Sequence, residues 1–150
     1  MDVDGTLTDG KIYMGNEGEL MKAFDVKDGC GIHDLLIPAG IEPIIITKRE
    51  SLILKNRCKE IGIEKVYQGV SDKTEIVKKI IDNVNPGEVA YIGDDINDLP
   101  AINLVKSGSG IIGCPRDASL KVKEVSDFIA EREGGHGAVR EFIEWILENT

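Results

Sequence analysis

No stretch of this sequence approaches the roughly 20 apolar residues that a membrane span needs. Its start also lacks the basic-then-apolar pattern of a secretory leader, so a cytoplasmic protein is the expectation. Positive charge is short as well. Eighteen lysines and arginines (Lys+Arg 18) face 27 aspartates and glutamates, for a formal charge of -9. That balance argues against a nucleic-acid partner, because a phosphate backbone demands a basic face. Cysteine is sparse and badly spaced for chemistry. Cys30, Cys58 and Cys114 are odd in number, far apart and without a CxxC pair, which points to reduced thiols rather than a disulfide framework or a zinc site. Internal repeats, low-complexity tracts and long linkers are absent too. What remains is 150 residues, 41% of them hydrophobic, enough for one domain with a core and too few for two.

Short β-rich runs alternate with helical patterns from residue 40 onward. EPIIIT (42–47), KVYQG (65–69), EVAYIG (88–93), GSGIIG (108–113) and SDFIA (126–130) read as strands. Between them, helices are expected over 51–61, over 71–84 with Ser71 as N-cap, over about 97–105 and over 117–125, with a terminal helix over 138–148. Strands separated by helices of this length form parallel βαβ units, so the expected fold is α/β with a doubly wound, Rossmann-like parallel sheet. Residues 10–28 break the pattern. KIYMGNEGELMKAF alternates around Asn16-Glu17-Gly18 and predicts a β-hairpin flap.

Ligands of an open parallel sheet bind beyond the carboxyl ends of its strands. The chemically suggestive groups all fall there: Asp2 and Asp4 in DVDGTLTDG, Thr47 after III, Lys73 after VYQGVSD, and Asp94 and Asp95 after AYIG. Carboxylates crowded in a low-dielectric cleft repel and need a cation to stay ionised. Oxygen-only ligands suit a hard divalent ion, most simply Mg²⁺. One carboxylate can then attack phosphorus, while a lysine and a hydroxyl hold the phosphoryl oxygens.

This constellation resembles the haloacid dehalogenase superfamily of phosphatases. DVDGTLT is similar to its first motif, IIIT to its second, Lys73 to its lysine and GDDIND (93–98) to its fourth. The resemblance implies that Asp2 is the nucleophile, forming an aspartyl-phosphate, and that Asp4 is the general acid and base. It further implies Mg²⁺ on Asp2, the backbone carbonyl of Asp4 and Asp94, with Asp95 and Asp98 as supporting acids. Thr47 and Lys73 would hold the phosphoryl group. It also implies a central strand of four or five apolar residues ahead of the first aspartate. Only Met1 precedes Asp2 here, so part of that strand is expected upstream of Met1.

The gap between the first two motifs holds only the hairpin and a short helix, so the chain looks capless. TDGKIYMGNEGE, AFDVKDGCGI, the QGVSDK run and GGHGAVREFIEWIL resemble the branch of 3-deoxy-D-manno-octulosonate 8-phosphate phosphatases, enzymes of lipopolysaccharide biosynthesis, and the related nonulosonate 9-phosphate phosphatases. That resemblance implies a homotetramer built by the hairpins, with the tail over 131–150 entering a neighbouring subunit. Arg49 matches the octulosonate enzymes where the nonulosonate enzymes look to carry glutamate. Arg57 is a candidate for the sugar-acid carboxylate, which suits bidentate arginine. Asn97 joins the substrate contacts, and Lys48 stands where the branch has glycine, adding charge or crowding the site. Two rivals come from other classes. A response-regulator receiver domain has a similar residue set in another chain order, without GDDxxD after the lysine. A non-catalytic oligomerisation domain, related to sialic-acid cytidylyltransferase tails, would have eroded these acids.

Overall fold

β-Branched side chains are stiff and pack well on a pleated surface. In the computed structural model, which describes residues 1–150, each of the expected runs carries a strand. β3 (Ile44–Ile46) pairs in parallel with β4 (Lys65–Tyr67). β5 (Ala90–Ile92), β6 (Ile111–Cys114) and β7 (Phe128–Ile129) form a second parallel set in that order. Residues 1–3 join the two sets. The Met1 amino group donates to the Ile44 carbonyl at 2.7 Å. The Ile46 N–H donates to the Met1 carbonyl and the Asp2 N–H to the Ile92 carbonyl, each at 3.0 Å. The segment leading into Asp2 therefore lies at the centre of the sheet, in the place expected of the strand before the first motif. A cavity of about 540 Å³ adjoins Met1 between β3 and β5, lined among others by Ile44, Ile46, Tyr91, Ile92 and Ile143.

Both faces of the sheet are covered. Val3, Ile45 and Ile92 pack with Leu54 of α2 (Leu52–Glu60) and with Val139, Phe142 and Ile143 of α6 (Ala138–Asn149). On the other face, Ile46, Tyr91 and Ile112 meet Val77 of α3 (Lys73–Ile81), Ile102 of α4 (Leu99–Ser107) and Val122 of α5 (Leu120–Val125). This is the doubly wound arrangement that alternating strands and helices dictate. One cap differs from expectation. Asp72, not Ser71, is the N-cap of α3, because its extended backbone lets its carboxylate accept the Thr74 N–H at 2.9 Å.

The hairpin consists of β1 (Tyr13–Gly15) and β2 (Gly18–Met21), closed by the two residues Asn16 and Glu17. It leaves Met14 and Leu20 59% and 68% exposed, with Ile12 and Met21 also exposed; Tyr13 is half-buried. After the hairpin, α1 (Val26–Cys30) runs without a break into wide π-type turns over Gly31–Leu36, and no larger element intervenes before β3. All three cysteine thiols are free, with Cys58 and Cys114 buried in the core.

The tail sits on its own chain. The Gly135 N–H donates to the Thr6 carbonyl at 3.0 Å. A Cβ on Gly134 would stand 1.9 Å from the Gly5 carbonyl oxygen, so only glycine admits this approach. Gly137, which begins α6, has no side chain to cap it. Asp28 of α1 reaches over instead, accepting the N–H groups of Gly137 at 3.3 Å and Arg140 at 2.9 Å. Burial pushes the Asp28 carboxyl up to about 6 even so. The resemblance implies that residues 131–150 enter a neighbouring subunit. Within the chain, Gly134 and Gly135 lie against the loop over 5–9, and α6 buries five residues in the core.

Candidate active site

Asp2 leaves the central segment at the carboxyl end of the sheet, Thr47 follows β3, and Asp94 follows β5, so topology alone gathers them. The carboxylates of Asp2, Asp94 and Asp98 lie within 4.8 Å of one another. Lys73, the first residue of α3, extends its amino group between two of them, 2.5 Å from Asp2 and 2.7 Å from Asp98. Asp98, expected only as a supporting acid, is fully buried and takes a further bond of 2.7 Å from the Tyr91 hydroxyl. Its other oxygen accepts the Asp94 N–H at 3.2 Å, which fixes the loop that carries Asp94.

The electrostatics follow from three carboxylates facing one ammonium. Burial first, then Asp2 and Asp98, pushes Asp94 up to about 8. Asp2 is raised as well, by burial and then by Asp98, against the pull of Lys73. Burial alone would lower Lys73, but the two carboxylates outweigh it and its pKa rises, so the ammonium stays charged. The cluster thus holds more negative charge than one lysine balances, and a hard divalent cation fits the deficit and the oxygen donors. Because a ligating carboxylate must be ionised, taking up such an ion is coupled to loss of the Asp94 proton. Gly5, at φ +94°, keeps room for this. A Cβ there would lie 2.1 Å from an Asp94 carboxylate oxygen. The Thr6 hydroxyl adds a bond to Asp94 at 3.3 Å.

Asp4 points away from this cluster, toward the hairpin. Its Oδ1 receives the Lys22 ammonium at 2.6 Å, and Arg49 Nε stands 4.0 Å from its Oδ2. Thr47 is buried, held by backbone bonds to Tyr67 and Val70, and Lys48 is exposed. Three more expected residues stand apart from the cluster. Arg57 lies against Phe24 and Gly29 and pairs with Glu60 at 2.9 Å. Asn97 is exposed on a single turn over Ile96–Asp98. Asp95 is also exposed and spends its carboxylate on capping that turn, accepting the Ile96 N–H at 2.7 Å. Sequence reasoning missed Lys22, Thr6, Tyr91 and the capping role of Asp28. Tyr91 lies in an expected strand two residues before the Gly-Asp-Asp run, and strand alternation could have aimed it at the site; Lys22 carries no such signal.

A comparison with protein-family models finds no match. Among curated proteins, the chain is 40% identical over 151 residues to the 3-deoxy-D-manno-octulosonate 8-phosphate phosphatase KdsC of Escherichia coli K12, covering 98% of this chain and 77% of that protein. The chain belongs to that phosphatase family. Solved structures agree. The cobalt-bound phosphatase of Haemophilus influenzae matches with a TM-score of 0.90 at 36% identity, over 98% of this chain and 84% of that one. The Moraxella catarrhalis phosphatase, solved with a magnesium ion, a phosphate ion and a KDO molecule, matches at 0.89 and 39% identity, over 98% and 83%. A hydrolase of Legionella pneumophila that matches at 0.87 and 41% identity, over 98% and 79%, is assigned to the HAD superfamily, subfamily III A. The phosphatase family thus shares this chain's α/β parallel-sheet fold, and it is a family of phosphomonoester hydrolases.

Proposed function

We propose that the chain is a Mg²⁺-dependent phosphatase that hydrolyses 3-deoxy-D-manno-octulosonate 8-phosphate through an aspartyl-phosphate on Asp2. The observation that carries this reading is the meeting of Asp2, Asp94 and Asp98 around Lys73 at the carboxyl end of the sheet, with every acid of the motifs present in the sequence. Those intact acids argue against a merely structural domain. Bound at Asp2, Asp94 and the Asp4 carbonyl, Mg²⁺ supplies charge neutralisation for the phosphoryl oxygens. Asp2 attacks phosphorus, and the bond from phosphorus to the sugar oxygen breaks while Asp4 delivers its proton to that oxygen. Asp4, now a carboxylate, takes a proton from water whose oxygen attacks phosphorus, and the bond to Asp2 breaks. Lys73 and Thr47 hold the phosphoryl oxygens.

Arg49 supports the octulosonate ester over a nonulosonate 9-phosphate. It is half-exposed at the mouth of the site, beside Asp4 and free of any closer partner, where a sugar-acid carboxylate can meet it. Arg49→Glu is expected to lower kcat/KM for the octulosonate ester roughly 100-fold, the loss of a charge-assisted pair. With p-nitrophenyl phosphate the loss is expected to stay within about threefold, since that ester has no carboxylate to recognise. Equal losses on both esters would assign Arg49 to the phosphate or the fold.

The assembly belongs to the same proposal. Exposed apolar side chains on a two-stranded ribbon, which is only marginally stable alone, support hairpins that pack against one another in a homotetramer. Light scattering on the full chain is expected to give four times the chain mass; a monomer at micromolar concentration would contradict it. The cytoplasm is the proposed location, consistent with the absence of any helix long and apolar enough to cross a membrane.

A further inference from the structure

Lys22 lies just past β2, yet its side chain is only 4% exposed. Lysine is seldom buried to that degree unless its ammonium is paired. Here it is paired twice. Nζ stands 2.6 Å from Asp4 Oδ1 and 3.0 Å from Glu19 Oε1. The second oxygen of Glu19 accepts the Ser51 hydroxyl at 2.5 Å, and Ser51 in turn caps α2 by accepting the Leu54 N–H at 3.1 Å. A continuous chain of bonds therefore runs from Asp4 through the hairpin to the helix that follows the second motif.

We propose that Lys22 is a positioning residue that fixes the Asp4 carboxylate for proton transfer, making the hairpin part of the catalytic apparatus. Lys22 donates to Oδ1, which leaves Oδ2, the oxygen on the Arg49 side, as the one free to exchange a proton with the substrate. In the first half-reaction the Asp2 oxygen bonds to phosphorus, the ester P–O bond breaks, and the Oδ2 proton passes to the departing alkoxide. In the second, Oδ2 receives a proton from the attacking water and the Asp2–phosphorus bond breaks. Lys22 gives up no proton in either step. This rests on the phosphatase reading above. It also gives the hairpin a task within its own chain that is separate from any role in assembly.

The test is leaving-group release in the first turnover by the full chain with Mg²⁺, comparing an alkyl phosphate (the octulosonate ester) with p-nitrophenyl phosphate. A 4-nitrophenolate departs without a proton, whereas an alkoxide needs one, and general acid catalysis contributes about 10²–10⁴-fold. Lys22→Met is expected to slow first-turnover release from the alkyl ester about 100-fold while leaving p-nitrophenolate release within about threefold. Lys22→Arg, which restores a cation to the pair, is expected to recover most of the alkyl rate. Equal slowing of both esters, no slowing of either, or no recovery in Lys22→Arg would overturn the proposal. Loss of the folded circular dichroism spectrum in Lys22→Met would do the same, since it would make Lys22 a residue of the fold. An unsubstituted chain that releases neither leaving group would remove the phosphatase reading, and the proposal with it.

Discussion

Asp2→Asn is expected to reduce turnover at least roughly 10⁴-fold, the scale on which removing a covalent nucleophile acts, while the chain stays folded. An amide neither attacks phosphorus nor ligates a divalent ion well, so both contributions of Asp2 disappear together. The fold should tolerate the change. Asparagine keeps an oxygen to accept the Lys73 ammonium, and it removes a buried carboxylate that burial and Asp98 already disfavour. Thermal melting alongside steady-state kinetics separates the two effects. Substantial residual turnover by folded, metal-bound Asp2→Asn would remove the nucleophile assignment.

Cutting the chain after Ile129 is expected to abolish folding, the largest structural effect foreseen here. The cut removes α6, whose Ala138, Val139, Phe142, Ile143 and Ile146 are buried. It also strips Phe142 and Trp145 from Phe128, their ring centroids lying 5.6 and 5.4 Å from it. Truncating a single buried Phe or Ile to alanine costs about 2–5 kcal/mol. Losing several at once exceeds the roughly 5–15 kcal/mol by which a domain is stable. Asp28 would also lose the N–H groups it caps and be left with a buried carboxyl. Circular dichroism and analytical ultracentrifugation of the truncated chain should show an unfolded or aggregated species. A folded tetramer lacking only activity would mean that α6 is dispensable to the core.

Much of this was legible from residues 42 to 130, because isoleucine-rich runs alternating with amphipathic segments admit few arrangements other than a doubly wound sheet. The cluster was legible for the same reason: strand ends of a parallel sheet share one edge, so Asp2, Lys73 and Asp94 come together there. The rest depended on contacts between parts distant in sequence. Lys22 and Asp4 are 18 residues apart and meet only because the hairpin folds back over the first motif. Asp28 finds the start of α6 more than a hundred residues away, and no local pattern encodes that bond. Arg57, a candidate for the sugar-acid carboxylate, likewise takes its place from residues distant in sequence: its guanidinium lies in the space that the absent side chain of Gly29 leaves and over the ring of Phe24. The tail offers another such contact: Gly134 and Gly135 close on Gly5, Thr8 and Asp9, more than a hundred residues away in sequence.

The most direct measurement is phosphate release from purified 3-deoxy-D-manno-octulosonate 8-phosphate by the full chain, with Mg²⁺ and then with Mg²⁺ removed by a chelator. The account predicts steady multiple turnover with the ion, none after chelation, and recovery when Mg²⁺ is returned. No release with the ion present, or release that chelation leaves unchanged, would contradict it.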